Sequence, residues 1–221
     1  MSHYMFDFSA AREQMVDCQI RTSDVTDHDV IKAFKSIARE DFVPKSQQAL
    51  VYGDAHIKLD DGRVMIRPRD FSKMVQAVNI LPTDVILDIA CGRGYSSAIL
   101  AQLGETVVSL ETSDEAVEKA SERLINADIS NVAVVKGDLK LGAAEHGPFN
   151  VIFVNGAVNE VPKNWFDQLA NDGRLICVIQ KGVIGHATIF QRSGDVVGET
   201  IVFDTSLPIL CLLYTSPSPR D

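Results

Sequence analysis

The chain has 221 residues, 46% of them apolar and 23% charged, which is ordinary soluble-protein usage and enough for one domain with a full core. A formal charge of -9 at pH 7 argues against a broad phosphate-binding surface, so nucleic acid is not an expected partner. No run of about 20 apolar residues is present to cross a bilayer, and the start, "MSHYMFDFSAAREQM", lacks the basic-then-apolar order of a secretory signal. The expected location is therefore the cytoplasm. Cys18, Cys91, Cys177 and Cys211 have no CxxC spacing and no histidine at ligand distance in sequence, so buried reduced thiols and no metal site are expected. Composition leaves the oligomeric state open.

In chain order, "SAAREQMVDCQI" predicts an amphipathic helix with Ser9 as N-cap and Met15, Cys18 and Ile20 near one face. "TDHDVIKAFKSI" predicts a second, burying Val30, Ile31, Phe34 and Ile37. The stretch "EDFVPKSQQALVYGDAHIKLDDGRVMIRP" reads as ordered loops and short strands, so residues 1–81 are expected to form a helical cap with the substrate-side loops. From Asp84 the pattern changes. Short apolar runs, Val85 to Ile89, "ETVVSLE", "VAVVKGD", "FNVIFVNG" and "GRLICVIQ", alternate with helix-like "YSSAILAQL", "SDEAVEKASERLINA" and "NEVPKNWFDQLAN". This βαβ series predicts an α/β fold with a doubly wound, mostly parallel sheet over residues 82–210, completed by "GETIVFDTSLPIL" as a late strand. Residues 211–221, "CLLYTSPSPRD", break with what precedes them and resemble the translation of a transposase adapter used in DNA sequencing libraries. On that reading the natural sequence stops near Leu210; the other reading is a Ser/Pro-rich disordered tail, and neither builds a core.

In sheets of this kind ligands sit beyond the C-terminal strand ends. The first such loop, "DIACGRGY", carries Gly92 and Gly94, which permit a sharp turn and a close backbone approach, ahead of a helix start with unpaired N–H groups. A glycine turn between strand and helix is also a common packing solution. Asp88 precedes the glycines, and the third position of a GxGxxG fingerprint is Ser97, so the dinucleotide pattern fails and a nicotinamide-dependent oxidoreductase is disfavoured. Glu111 ends the second strand, where a carboxylate can accept from both ribose hydroxyls; alternatively it is a helix-start charge before "TSDEA", although Thr112, Ser113 or Asp114 could cap. Asp138 ends the third strand in "KGDL", where it can accept from an exocyclic amine or simply hold a turn.

Acids at three successive strand ends around a glycine turn resemble the S-adenosylmethionine-dependent methyltransferases. Over nearly its whole length the chain is similar to the protein-L-isoaspartate O-methyltransferase family, through "FVP", "RPRDFSKMVQAV", "GRGYSSAILAQL", "SERLINADISNVAVVKGD", "FNVIFVNGAVNEVP" and "LANDGRLI" in the family's order and spacing. The resemblance implies a Rossmann-like methyltransferase that uses S-adenosyl-L-methionine. It implies Asp88, Ala90, Gly92 and Gly94 around the amino-acid part of the cofactor, Glu111 at the ribose and Asp138 at the adenine. The implied partner is a protein or peptide bearing an isoaspartyl-type carboxylate, methylated as protein repair.

The departures from the family pattern concern the substrate side. Ala90 stands where the family usually has glycine, which demands a negative φ or some strain. The family's "TISQP"-like segment reads "VMIRP", so Val64 and Ile66 occupy the places of two hydroxyl residues and the catalytic set is unassigned. "TAAAPEIP" becomes "NGAVNEVP", Asn155 to Pro162, and Arg67 and Arg69 are new cations that can pair with a carboxylate or remain solvated. The leading expectation is a carboxyl O-methyltransferase of the isoaspartate type or a relative with altered substrate. The alternative is a cofactor-binding protein without repair activity that acts through a partner.

Overall fold

The computed structural model describes residues 6–59, 62–210 and 212. Helix α1 (Phe8–Met15) starts where the Asp7 carboxylate accepts from the Ala10 N–H, so Asp7 rather than Ser9 is the N-cap. A π turn, Val16–Ile20, continues it, and the wider turn sends Met15, Val16 and Ile20 inward while Cys18 faces out. The expected burial thus fails for Cys18, holds for Cys91 and Cys177, and for Cys211 lies outside the described residues. Helix α2 (His28–Ser36) is capped by Asp27, which accepts from Asp29 and Val30, and buries Val30, Ile31, Ala33 and Phe34. Strands β1 (Ile57–Lys58) and β2 (Val64–Met65) pair antiparallel. Helix α3 (Pro68–Val78) opens on a proline, whose missing N–H costs nothing at that position, and ends at Asn79 in the left-handed region, φ 50°.

The remaining chain runs β3 (Val85–Ile89), α4 (Tyr95–Leu100), β4 (Thr106–Glu111), α5 (Asp114–Asn126), β5 (Val132–Lys136), β6 (Phe149–Val158), α6 (Lys163–Asp167), β7 (Leu169–Lys181), β8 (Ile184–Ser193) and β9 (Val196–Asp204). The seven strands lie in the order β5-β4-β3-β6-β7-β8-β9. From β5 to β7 neighbours are parallel; β8 and β9 join antiparallel. The switch has a local cause, since two-residue loops opening on Gly182 (φ 75°) and Gly194 (φ 59°) can only return the chain as hairpins. The expected late strand is β9, and β8 before it was not foreseen. Helix α6 is much shorter than "NEVPKNWFDQLAN" suggests. Gln168 stops it, its side chain donating to the Asn164 and Leu141 carbonyls and accepting from the Ala143 N–H, and Leu169 then pairs with Phe149.

Over β3, β4, β6 and β7 both sheet faces are covered and side chains alternate between two cores, whereas β9 at the edge is largely exposed. Ile86, Val107, Val151, Phe153, Ile176 and Val178 face the first, which continues without a break into Met15, Phe34 and Phe71. Leu87, Ile89, Leu110, Ile152, Val154 and Leu175 face the second, with Trp165 and Leu210. The expected boundary of the tail falls near residues outside the described set; Leu212, the described one, packs against that second core. Phe71 is the joint between the N-terminal elements and the sheet, with ring centroids 5.3 Å from Phe34, 5.8 Å from Tyr95 and 5.5 Å from Phe153. Phe71→Ala is expected to cost about 3–5 kcal/mol by urea denaturation. A loss under about 1 kcal/mol would show that α3 is not the joint.

Candidate active site

The loops after β3 and β4 meet at the C-terminal edge of the sheet, because those strands are neighbours in register: Asp88 sits beside Ser109, and Ile89 beside Leu110. Two buried carboxylates result. Asp88 is fully buried, and its Oδ2 accepts from the Ser96 and Ser97 hydroxyls at 2.7 Å each. Its Oδ1 accepts from Asn155 Nδ2 at 2.6 Å, and Ser109 extends the network by donating to Ser97 at 2.7 Å. Burial pushes the Asp88 carboxyl up to about 6, while the hydrogen bonds from Ser97, Ser96 and Asn155 pull it back. Glu111, 1% exposed, accepts from the Gly92 N–H at 2.8 Å and the Thr112 N–H at 3.1 Å. Arg63 grips it from the other side, Nε at 2.9 Å from Oε1 and Nη2 at 2.9 Å from Oε2.

The turn between these acids requires left-handed backbone at Ala90 (φ 61°), Gly92 (φ 61°) and Gly94 (φ 90°). Ala90 therefore takes the strained option, at a cost of roughly 1–2 kcal/mol. A Cβ on Gly94 would lie 3.2 Å from Leu124 Cγ, so α5 packs directly on this turn. Cys91 lies buried between the two acids, and burial, then the charges of Glu111 and Asp88, push its thiol well above the ordinary range. Asp138 lies two residues beyond the end of β5, in the following turn, where its Oδ1 accepts from the Lys140 N–H at 2.8 Å, the turn-holding arrangement.

On the substrate side Val64 and Ile66, 6% and 3% exposed, line a small cavity with Cys91, Tyr95, Ser96 and Asn155. Arg67 and Arg69 both face a carboxylate of the chain itself, Arg67 closely and Arg69 at longer range with its side chain 41% exposed. Arg67 Nε is 2.7 Å from Asp70 Oδ2 and Arg69 Nε 3.6 Å from Oδ1, because Asp70 is fully buried and takes the nearest cations. Below the cavity, the fully buried Arg39 donates to the Val51 and Ile66 carbonyls at 2.8 and 2.7 Å and lies 4.7 Å over the Tyr95 ring, fixing the chain on either side of the 57–65 hairpin. Arg63, Ser96 and Arg39 carry no role in the sequence reading, where Ser97 enters only as a failed fingerprint position and Asn155 only as the start of the altered loop. Two hydroxyls inside the buried apolar stretch "YSSAIL" were a readable signal for the Asp88 network; the loop arginines carried none.

A parallel sheet with acids on adjacent strand ends about a glycine turn places the chain among the Rossmann-like methyltransferases that use S-adenosylmethionine. The description protein-L-isoaspartate(D-aspartate) O-methyltransferase (PCMT) matches residues 10–205. The protein-L-isoaspartate O-methyltransferase of Methanoculleus marisnigri is 34% identical over 168 residues, 76% of this chain and 76% of its own. That of Protochlamydia amoebophila is 36% identical over 162 residues, 73% of this chain and 77% of its own. A solved protein-L-isoaspartate O-methyltransferase, 30% identical, superposes with a TM-score of 0.78 over 90% of this chain and 65% of its own length. A Plasmodium falciparum structure in complex with S-adenosyl-L-homocysteine, 17% identical, shares the fold with a TM-score of 0.78 over 95% of this chain and 100% of its own. The chain belongs to the protein-L-isoaspartate O-methyltransferase family, a family of S-adenosylmethionine-dependent enzymes. Among the described residues no helix is long and apolar enough to cross a membrane.

The donor set suits that cofactor: a glycine turn for close approach and Glu111 for a ribose diol. The space is differently disposed. Leu59 Cδ1 would be 3.0 Å from a Cβ on Gly92, and Arg63 Cβ 3.5 Å, so both side chains lie on the glycine turn. The two cavities left there, one beside Cys91 and one beside Glu111, are each about 10 Å³, room for roughly one water molecule. Leu59 and Arg63 thus fill the space over the glycine turn and beside Glu111.

Asp88 supplies a pH test. An acid whose pKa rises on folding binds its proton more tightly when folded, so it costs stability as pH climbs from 3.8, its ordinary value, through about 6. The cost is absent below that window and complete above it. Asp88→Asn removes this dependence, so the Tm of the variant relative to the parent is expected to rise between pH 4 and pH 7, on the order of a few degrees. A Tm difference that stays constant across that range would mean Asp88 titrates normally.

Proposed function

We propose that the chain transfers a methyl group from S-adenosylmethionine to the free carboxylate of an L-isoaspartyl residue in a damaged protein or peptide, or of a related substrate. The observation that carries this reading is the placement of Asp88 and Glu111 on adjacent strand ends around the 90–94 turn, in a chain of this family. The cofactor supplies a methyl already activated on a sulfonium. A carboxylate is ionised at neutral pH and needs no general base, so the protein's work is to orient it and exclude water.

Asp88 acts through its neighbours, tying Ser96 and Ser97 at the start of α4 to Asn155 of β6 and so holding Ala90, Gly92 and Gly94 in their turn. Glu111 offers its two oxygens to the ribose hydroxyls, and the Gly92 N–H keeps it aimed. Asp138 takes the adenine amine, in competition with its own Lys140 N–H. Val64 and Ile66 supply an apolar wall where hydroxyls would orient the acceptor. We assign residues 1–81 to the substrate side and 82–210 to the cofactor, and we place the protein in the cytoplasm.

The loss of those hydroxyls removes positioning rather than proton transfer. Release of labelled methanol from an isoaspartyl peptide is expected to be slow with this chain, and Val64→Thr with Ile66→Ser is expected to raise it by on the order of tenfold or more, since a misplacement of about 1 Å can cost about 100-fold. Parent turnover already equal to that of its M. marisnigri relative would show that backbone donors suffice. No S-adenosylhomocysteine binding in a calorimetric titration would sink the functional reading itself.

A further inference from the structure

Glu111 has no acceptor capacity left. Its Oε1 accepts from the Gly92 N–H at 2.8 Å and Arg63 Nε at 2.9 Å, and its Oε2 from Arg63 Nη2 at 2.9 Å, with Arg63 Nε and the Thr112 N–H each at 3.1 Å. A carboxylate offers about four lone-pair sites, and all are taken. The two backbone amides are fixed by the turn and by the end of β4; among the described residues the guanidinium is the donor carried on a side chain, and it can leave. It stands where a ribose diol would donate, 8% exposed, with Nη2 also 3.2 Å from Thr112 Oγ1, and its Cβ lies against Gly92. Two N–H donors in a planar fork present to a carboxylate the same pair of hydrogens as two vicinal hydroxyls.

We propose that Arg63 is an internal competitor for the cofactor: its guanidinium mimics the ribose diol at Glu111, and the nucleoside binds only in the fraction of molecules from which Arg63 has withdrawn. The inference rests on the cofactor reading above. Apparent affinity is then the intrinsic affinity scaled by that open fraction, so weakening the Arg63–Glu111 pair strengthens ligand binding even though it removes a contact of the folded protein. Leu59, packed on the same glycine, leaves with it, and Gly92 is freed for the close approach that its lack of a side chain allows. The pair is buried, so added salt screens it little.

The test is calorimetric titration of S-adenosylhomocysteine into the parent chain, Arg63→Gln and Arg63→Lys. Glutamine keeps a neutral donor of similar reach, and lysine keeps the charge without the fork. The expected order is Arg63→Gln tightest, by about tenfold or more over the parent, with Arg63→Lys between them, while both variants melt lower than the parent without ligand. Equal or weaker binding by Arg63→Gln overturns the competition and leaves the cofactor reading standing. Absence of binding by all three overturns both together. Should Arg63→Gln fail to fold, Arg63→Lys decides: tighter binding than the parent supports the competition, and equal or weaker binding overturns it.

Discussion

A carboxylate withdrawn from water has to be given donors, and strands β3 and β4 each carry one that is almost completely buried. Much of the C-terminal edge of the sheet answers that requirement. Asp88 recruits two hydroxyls from the first turn of α4 and an amide from β6, elements that would otherwise meet only through apolar packing. Glu111 recruits the N–H of Gly92, a residue in left-handed backbone, and holds Arg63 from the β1–β2 hairpin. The acids that suit this edge to a ligand are therefore also what organises it, and chemistry and architecture share one set of hydrogen bonds.

The apolar part of the molecule is organised from the opposite direction. Helix α3 lays Phe71, Met74, Val75 and Val78 between the N-terminal helices and the sheet, so the first core has no seam at the place where the sequence changes character. Arg39, buried against backbone carbonyls and resting on Tyr95, ties the loops of the cap to the same aromatic cluster. What can move against this scaffold is confined to short pieces. The β1–β2 pair is two residues long, a ladder too small to hold by itself.

The sequence made the parallel part of the sheet legible because strands buried on both faces read as short, mainly apolar runs, as Val85–Leu87 and Val151–Val154 do. It also made the strand-end acids legible, since a carboxylate that closes an apolar run loses its water unless donors or a ligand replace it. The antiparallel end was legible but passed over: "KGVI" and "SGDV" hold glycine in the first place of a two-residue turn, which is a hairpin signature. The short α6 was not, because its end depends on Gln168 reaching the backbone of a loop about 25 residues away. Nor was Arg63. Its partner lies on another element, and a loop arginine next to glycine is, by sequence, indistinguishable from a solvated one.

The unbroken first core has a consequence for how the protein is made. Met15, Ile20, Phe34 and Ile37 belong to the same apolar cluster as Val151, Ile176 and Leu207. During synthesis the N-terminal helices and α3 emerge before the sheet strands that complete their shared core. The N-terminal elements therefore complete their packing only together with the sheet, through contacts between residues far apart in sequence. Contacts of such long sequence separation close slowly, so the strands that come late in the chain, rather than the first helices, set when this core is complete.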